Sequence, residues 1–309
     1  MSNNVIDTKY YPNLSKLYTL QVATFPEHEA NLNRRFKETT ASEYQFLEIL
    51  AQKIIQIIGT DVKKYCEDYK FITAIVLEEE IFFRRENRYR LSCFEDAINK
   101  VYADKVYMTR YMNGLLMSQL WWGNHTKVMQ YFQAAFLDGN KPDFNHLEIG
   151  PGHGLFLYFA AMHPNCRNAS GWDISEASLE LVRSTLSKLK CTNSVDLSLV
   201  NMFDAPTGQF DSIVFSEVLE HLEKPKMALE IIHSLLAPGG RAFINAPVNS
   251  PAPDHITLFR APEEIVQMVE EAGFIVENTL FEPTAGSSLE RARQRALAIS
   301  TAVIARKKG

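Results

Sequence analysis

At 309 residues, with 46% hydrophobic and 22% charged side chains, the chain can bury a full α/β core, has room for two units, and carries no signature of disorder. A net charge of −5 gives no global attraction to nucleic acid or anionic lipid. The four cysteines, Cys66, Cys93, Cys166 and Cys191, lie far apart without a CxxC pair, which argues against a disulfide framework or a zinc knuckle and fits reduced thiols.

The chain opens on MSNNVIDTKYYPN, which has neither the basic start nor the apolar run of a signal peptide, and no stretch reaches the about 18 apolar residues of a membrane span. The expectation is a cytoplasmic protein with no membrane contact. Over 42–58, Phe46, Ile49, Leu50, Ile54, Ile57 and Ile58 recur at spacings of three and four before Gly59, which predicts an amphipathic helix. Asp61 then caps a helix running to about Glu79. Beyond it, Ile81-Phe-Phe-Arg and Arg88-Tyr-Arg-Leu-Ser flank Arg85-Glu86-Asn87 in the manner of a short hairpin, and helices followed by a hairpin suggest a winged helix. Residues 103–136 read as two helices rich in aromatics, among them Tyr107, Tyr111, Trp121, Trp122 and Phe132, and form a candidate substrate lid. Asp-Gly-Asn-Lys-Pro-Asp at 138–143 breaks the helical periodicity and marks a boundary.

Downstream, strand-like segments at 146–149, 169–173, 195–200, 211–215, 242–246, 274–280 and 299–306 alternate with helical ones. That alternation predicts a mainly parallel sheet, so the fold class is α/β, seven-stranded and Rossmann-like, preceded by a mainly helical, winged-helix-like region. The turn after the first strand reads Glu148-Ile149-Gly150-Pro151-Gly152-His153-Gly154. Glycines there let the backbone approach a ligand where a Cβ would collide. Such a loop can cradle a dinucleotide, but its glycines are spaced two and two, not two and three as in that fingerprint.

The ExGxGxG pattern resembles the class I methyltransferases that use S-adenosylmethionine (SAM), and the later landmarks of that family follow in order across 146–306. Phe210-Asp211-Ser-Ile-Val-Phe-Ser216-Glu217 resembles its fourth strand, and Leu236-Ala-Pro-Gly239-Gly240 its turn into the fifth. The resemblance implies a SAM pocket made by Glu148, Gly150, Gly152, Gly154, Asp173, Ile174, Asn201, Met202 and Ser216. Asp173 would accept both ribose hydroxyls, because a carboxylate takes two hydrogen bonds at once. Ile174 would pack on the adenine. Asn201 stands where the family often has an acidic residue.

Glu217-Val-Leu-Glu220-His221 follows the fourth strand, and a helix would place i, i+3 and i+4 on one face. Two clustered carboxylates and an imidazole suit a divalent cation, with His255, in Pro253-Asp254-His255, as a fourth ligand. The order resembles metal-assisted small-RNA 2′-O-methyltransferases and the O-methyltransferases of ubiquinone biosynthesis. Without a cation, Glu217 helps hold cofactor or substrate and His221 takes the proton.

Tyr111 and Asn124 are the expected substrate contacts, since their polar groups need partners when buried. Residues 1–140 are thus expected to be a dimerising lid domain, like that of natural-product O-methyltransferases, and 141–309 the SAM domain. The function expected is methylation of a small molecule, on a hydroxyl, by a homodimer that binds no nucleic acid. The alternatives are C- or N-methylation in a natural-product pathway, RNA 2′-O-methylation, and a SAM-sensing winged-helix DNA binder, for which Arg84, Arg85, Arg88 and Arg90 would meet phosphates.

Overall fold

The computed structural model describes residues 5–204 and 206–309. Seven helices come first: α1 (Pro12–Thr24), α2 (Glu29–Lys37), α3 (Ala41–Ile58), α4 (Val62–Glu86), α5 (Phe94–Ala97), α6 (Lys105–Trp121) and α7 (Gly123–Tyr131). The rest alternates as β1 (Phe144–Ile149), α8 (Leu155–Ala161), β2 (Cys166–Asp173), α9 (Glu176–Lys188), β3 (Val195–Leu199), β4 (Phe210–Ser216), α10 (Pro225–Leu235), β5 (Leu236–Val248), α11 (Pro262–Glu271), β6 (Ile275–Pro283), α12 (Leu289–Arg295) and β7 (Ile299–Arg306). All seven expected strands are present. They form one sheet in the order β3-β2-β1-β4-β5-β7-β6, parallel from β3 through β5, with β7 antiparallel to both of its neighbours.

Alternate residues of the strands feed two cores. Val214 and Phe243 face a cluster that includes Phe132, Phe136 and Phe156, whereas Ile213, Phe215, Ala242 and Ile244 pack with Leu229, Ile232 and Ile265 of α10 and α11. Phe132 lies 4.7 Å from Phe156 and 5.4 Å from Phe243, ring centre to ring centre, so the segment after α7 is built into the sheet's cover.

The hairpin expected at 81–92 is absent, and among the described residues no strand precedes β1, so the winged-helix reading is overturned. Ile81-Phe-Phe looks strand-like in isolation. Instead Phe83 continues the buried spacing of Ile72 and Glu79, Arg84 pairs with Glu80 one turn back at 2.6 Å, and α4 runs on until Asn87 ends it in the left-handed region at φ 54°. Asp61 precedes α4 but makes no capping hydrogen bond with its side chain.

Helices α4 and α6 approach closely at Gly114, where a Cβ would lie 2.5 Å from Ile72 Cγ2 and 2.7 Å from the Asp68 carbonyl. The carbonyl belongs to a helix backbone and cannot swing aside. Gly114→Ala is therefore expected to destabilise the protein by about 1–3 kcal/mol, read as a lower urea midpoint. The helical region reaches the carboxyl edge of the sheet through Asn87, which accepts from Arg260 Nη1 at 2.8 Å, and Tyr89, whose hydroxyl accepts from Ser250 N at 3.0 Å.

Candidate functional site

Strand order reverses between β1 and β4, and in open parallel sheets that switch point opens a crevice at the carboxyl ends of the strands. The ends of β1, β2, β4 and β5 deliver the glycine loop, Asp173, the 216–221 turn and the 249–255 loop to this one edge.

Gly150, Gly152 and Gly154 all hold positive φ, at 70°, 51° and 78°, a region that L side chains enter only with strain. Glu148, next to last in β1, is buried, and its Oε2 has no partner; burial drives its carboxyl pKa well above the usual range. Asp173 ends β2 with Oδ1 accepting from Ser175 N at 2.9 Å, and burial lifts its pKa to about 6. Ile174 is exposed beside it and Met202 is buried. Asn201 is spent on its own turn: its Oδ1 accepts from Phe203 N at 3.1 Å and its Nδ2 donates to Asp204 at 3.3 Å. Ser216 Oγ accepts from Asn245 Nδ2 at 3.0 Å. An orphaned carboxylate oxygen, a loop of three left-handed glycines and an acid at the end of β2 fit the SAM pocket that the sequence pattern implies.

Glu217, Glu220 and His221 do not share a helix. Glu217 takes a left-handed φ of 56°, its N–H donating to the Asn245 carbonyl at 2.8 Å, and only Leu219–His221 form a single 3₁₀ turn. Glu217 Oε1 accepts from Asn245 Nδ2 at 2.7 Å, and burial raises its pKa to about 7. Glu220 is instead brought to His255 by the 249–255 loop: the Glu220 carbonyl accepts from Ile256 N and Thr257 N, both at 2.9 Å.

Ligand atoms of Glu220, His221 and His255 lie within 4.8 Å of one another, and Glu217 is outside this group. Glu220 is fully buried, with neither carboxylate oxygen partnered. Its Oε1 stands 3.8 Å from His221 Nε2 and 3.9 Å from His255 Nε2. His221 Nδ1 bonds the Asp254 carbonyl at 3.1 Å and His255 Nδ1 the Ser250 carbonyl at 2.7 Å. A carbonyl can only accept, so both Nδ1 atoms carry the proton and both Nε2 lone pairs are left for a ligand.

Tyr111 is buried next to this group, its hydroxyl donating to Asp254 Oδ1 at 3.3 Å. Asn124 is not: it donates to Ser300 Oγ on β7 at 2.9 Å. Sequence reasoning passed over Asp254, Tyr102 and Asn245. Asn245 was visible as one polar residue in the apolar run of β5; Asp254 and Tyr102 carried no signal of their own.

A family model described as a methyltransferase domain matches residues 121–296, more than half of the chain. The chain belongs to this family. It is a methyltransferase of this domain family. This methyltransferase is 32% identical over 125 residues to the ubiquinone biosynthesis O-methyltransferase of Pseudomonas aeruginosa, covering 40% of the chain and 50% of that protein. With the enzyme of the same description from Thiobacillus denitrificans it shares 30% identity over 126 residues, 40% of the chain and 52% of that protein. The chain thus spans about half the length of the curated relatives it matches. Among solved structures, the SAM-dependent methyltransferase SibL in its apo form is similar in fold, with a TM-score of 0.50 at 14% identity, covering 84% of this chain and 74% of that one. No helix among the described residues is long and apolar enough to cross a membrane.

Proposed function

We propose that this methyltransferase moves the SAM methyl group to a hydroxyl of a small molecule with the help of a divalent cation held by Glu220, His221 and His255. The observation that carries the reading is the fully buried, unpartnered Glu220 carboxylate facing two imidazoles whose Nδ1–H bonds leave Nε2 free. Two imidazoles to one carboxylate favour a transition ion such as manganese, iron or zinc over magnesium, which prefers oxygen donors. The name O-methyltransferase printed for the relatives supports oxygen as the acceptor atom.

Gly150, Gly152 and Gly154 would let the backbone lie against the cofactor, Asp173 would accept the ribose hydroxyls, and Ile174, Met202, Glu148 and Ser216 would line the same pocket. SAM supplies an electrophilic methyl with a good leaving group, so the chain's task is positioning. The cation supplies Lewis acidity that makes a hydroxyl easier to deprotonate. Glu217, fixed by Asn245, is the carboxylate left to take the proton, since His221 Nε2 is committed to the cation. Tyr111 and the lid helices, residues 1–140 of our division, wall the acceptor space and keep water from the 141–309 unit.

Calorimetric titration of the purified protein with SAM, after chelation and again with manganese, tests this reading together with elemental analysis. About one metal per chain and SAM binding support it; full SAM-dependent turnover in chelator discards the cation and returns His221 to the role of base.

Asp173→Ala is expected to weaken SAM binding by about 1–3 kcal/mol through lost charge-assisted hydrogen bonds. Because burial holds the Asp173 carboxyl at about 6, the wild-type affinity should also fall as pH drops from 7 to 5, where the protonated carboxyl no longer accepts from both hydroxyls. Asp173→Asn, which does not titrate, should show a flatter profile over that window. Parallel profiles would remove Asp173 from the ribose.

A further inference from the structure

Asp254 joins two parts of the molecule that the proposed reaction must bring together. On one side it stands between the histidines of the metal group: His255 follows it in the chain, and its carbonyl accepts from His221 Nδ1 at 3.1 Å. Its carboxylate meanwhile receives two tyrosines. Tyr102 Oη donates to Oδ2 at 3.1 Å and Tyr111 Oη to Oδ1 at 3.3 Å. Tyr102 closes the π turn Ile98–Tyr102 and Tyr111 sits within α6, so two segments of the helical region end on one carboxylate. Asp254 is buried at 4% exposure, its Oδ2 also stands 3.6 Å from His221 Nδ1, and among the described residues no lysine or arginine pairs with it. Tyr111 in turn stacks on Tyr107 at 6.1 Å, and Tyr107 meets Phe71 of α4 edge-on at 5.4 Å, which carries the connection into the helical layer.

We propose that Asp254 is a positioning residue that couples closure of the 98–111 segment over the acceptor space to occupation of the metal site. The proposal rests on the metal reading above. With His221 and His255 both holding a cation, Asp254, bonded to one through its carbonyl and joined to the other in the chain, would be fixed from both sides. Asp254 then holds out two acceptors at set positions, and both tyrosines close onto it. The linkage is reciprocal, as any coupling between two equilibria must be: a closed lid holds the Asp254 carbonyl where it orients His221.

Amide hydrogen exchange of the full chain with and without manganese tests this. In the wild type, manganese should slow exchange across 98–111 by roughly fivefold or more. Asp254→Ala keeps Glu220, His221, His255 and the backbone carbonyl, so it should still take up manganese while the exchange of 98–111 stops responding to it. The double variant Tyr102→Phe/Tyr111→Phe, which leaves Asp254 in place, should lose the response equally and guards against a folding defect in the alanine variant. Asp254→Asn, able to accept from one tyrosine, should keep part of it. A purely structural role would speed exchange equally with and without the metal, and an unchanged manganese response in the metal-loaded double variant would overturn the proposal. A wild type that takes up no manganese would instead overturn the metal reading beneath it.

Discussion

Glu220→Gln is expected to abolish manganese uptake and to reverse its order of stability with the wild type when the metal is added. The reasoning starts from burial. Glu220 has no exposed surface and neither oxygen has a donor, while Glu217 and Asp254 stand close enough to raise its pKa further. A charged carboxylate in such a place costs several kcal/mol unless a cation neutralises it. The metal-free wild type therefore carries a penalty that the neutral amide does not, either as a buried charge or as a carboxyl that must take up a proton on folding, and after chelation Glu220→Gln should unfold at an equal or higher urea concentration. Manganese at about a hundred times its Kd should then stabilise the wild type by about 2.7 kcal/mol by mass action and leave the variant unmoved. SAM-dependent turnover, followed as S-adenosylhomocysteine with any acceptor that supports it, should fall at least about 100-fold, because a lost ligand exceeds the 10–100-fold typical of a lost supporting contact. A wild type whose unfolding ignores manganese would mean that Glu220 is simply a protonated acid in an apolar wall.

What could be read in advance follows from how local each cause is. β7 is buried over nearly its whole length and β4 through its centre, Ser212–Phe215, so their apolar runs are visible in the chain itself. The left-handed glycines of the loop after β1 are equally local, since no other residue takes three positive φ angles in five positions cheaply. The end of α4 was not legible, because Ile81-Phe-Phe satisfies strand and helix patterns alike and the choice is made by what Phe83 packs against. Glu217 failed for a related reason: its left-handed turn is set by a hydrogen bond to Asn245 on the next strand, which helical spacing does not foresee. His255 was found as a residue type able to bind metal. Its companion Asp254 was not, since the carboxylate acquires meaning only from Tyr102 and Tyr111, which reach it across 152 and 143 positions of chain.

Gly150→Ala and Gly152→Ala should separate two functions of one loop. At Gly150 an added Cβ would stand 2.8 Å from Val218 Cγ2, and Val218 lies between Glu217 and Leu219 in the turn that carries Glu220. At Gly152 the nearest atom is Met112 Cε, 3.8 Å away, an ordinary contact at the tip of a flexible side chain of α6. Both alanines pay the strain of a left-handed φ, about 1–2 kcal/mol. Only Gly150→Ala adds a collision, worth about 1–3 kcal/mol, that is relieved by displacing Val218 and with it the 217–221 turn. Calorimetry should therefore show both variants weakened toward SAM, with Gly150→Ala losing about 100-fold, and manganese affinity reduced in Gly150→Ala alone. Manganese binding that is equal in the two variants would show that the glycine loop and the Glu220 turn move independently, and the contact between Gly150 and Val218 would then be no more than packing.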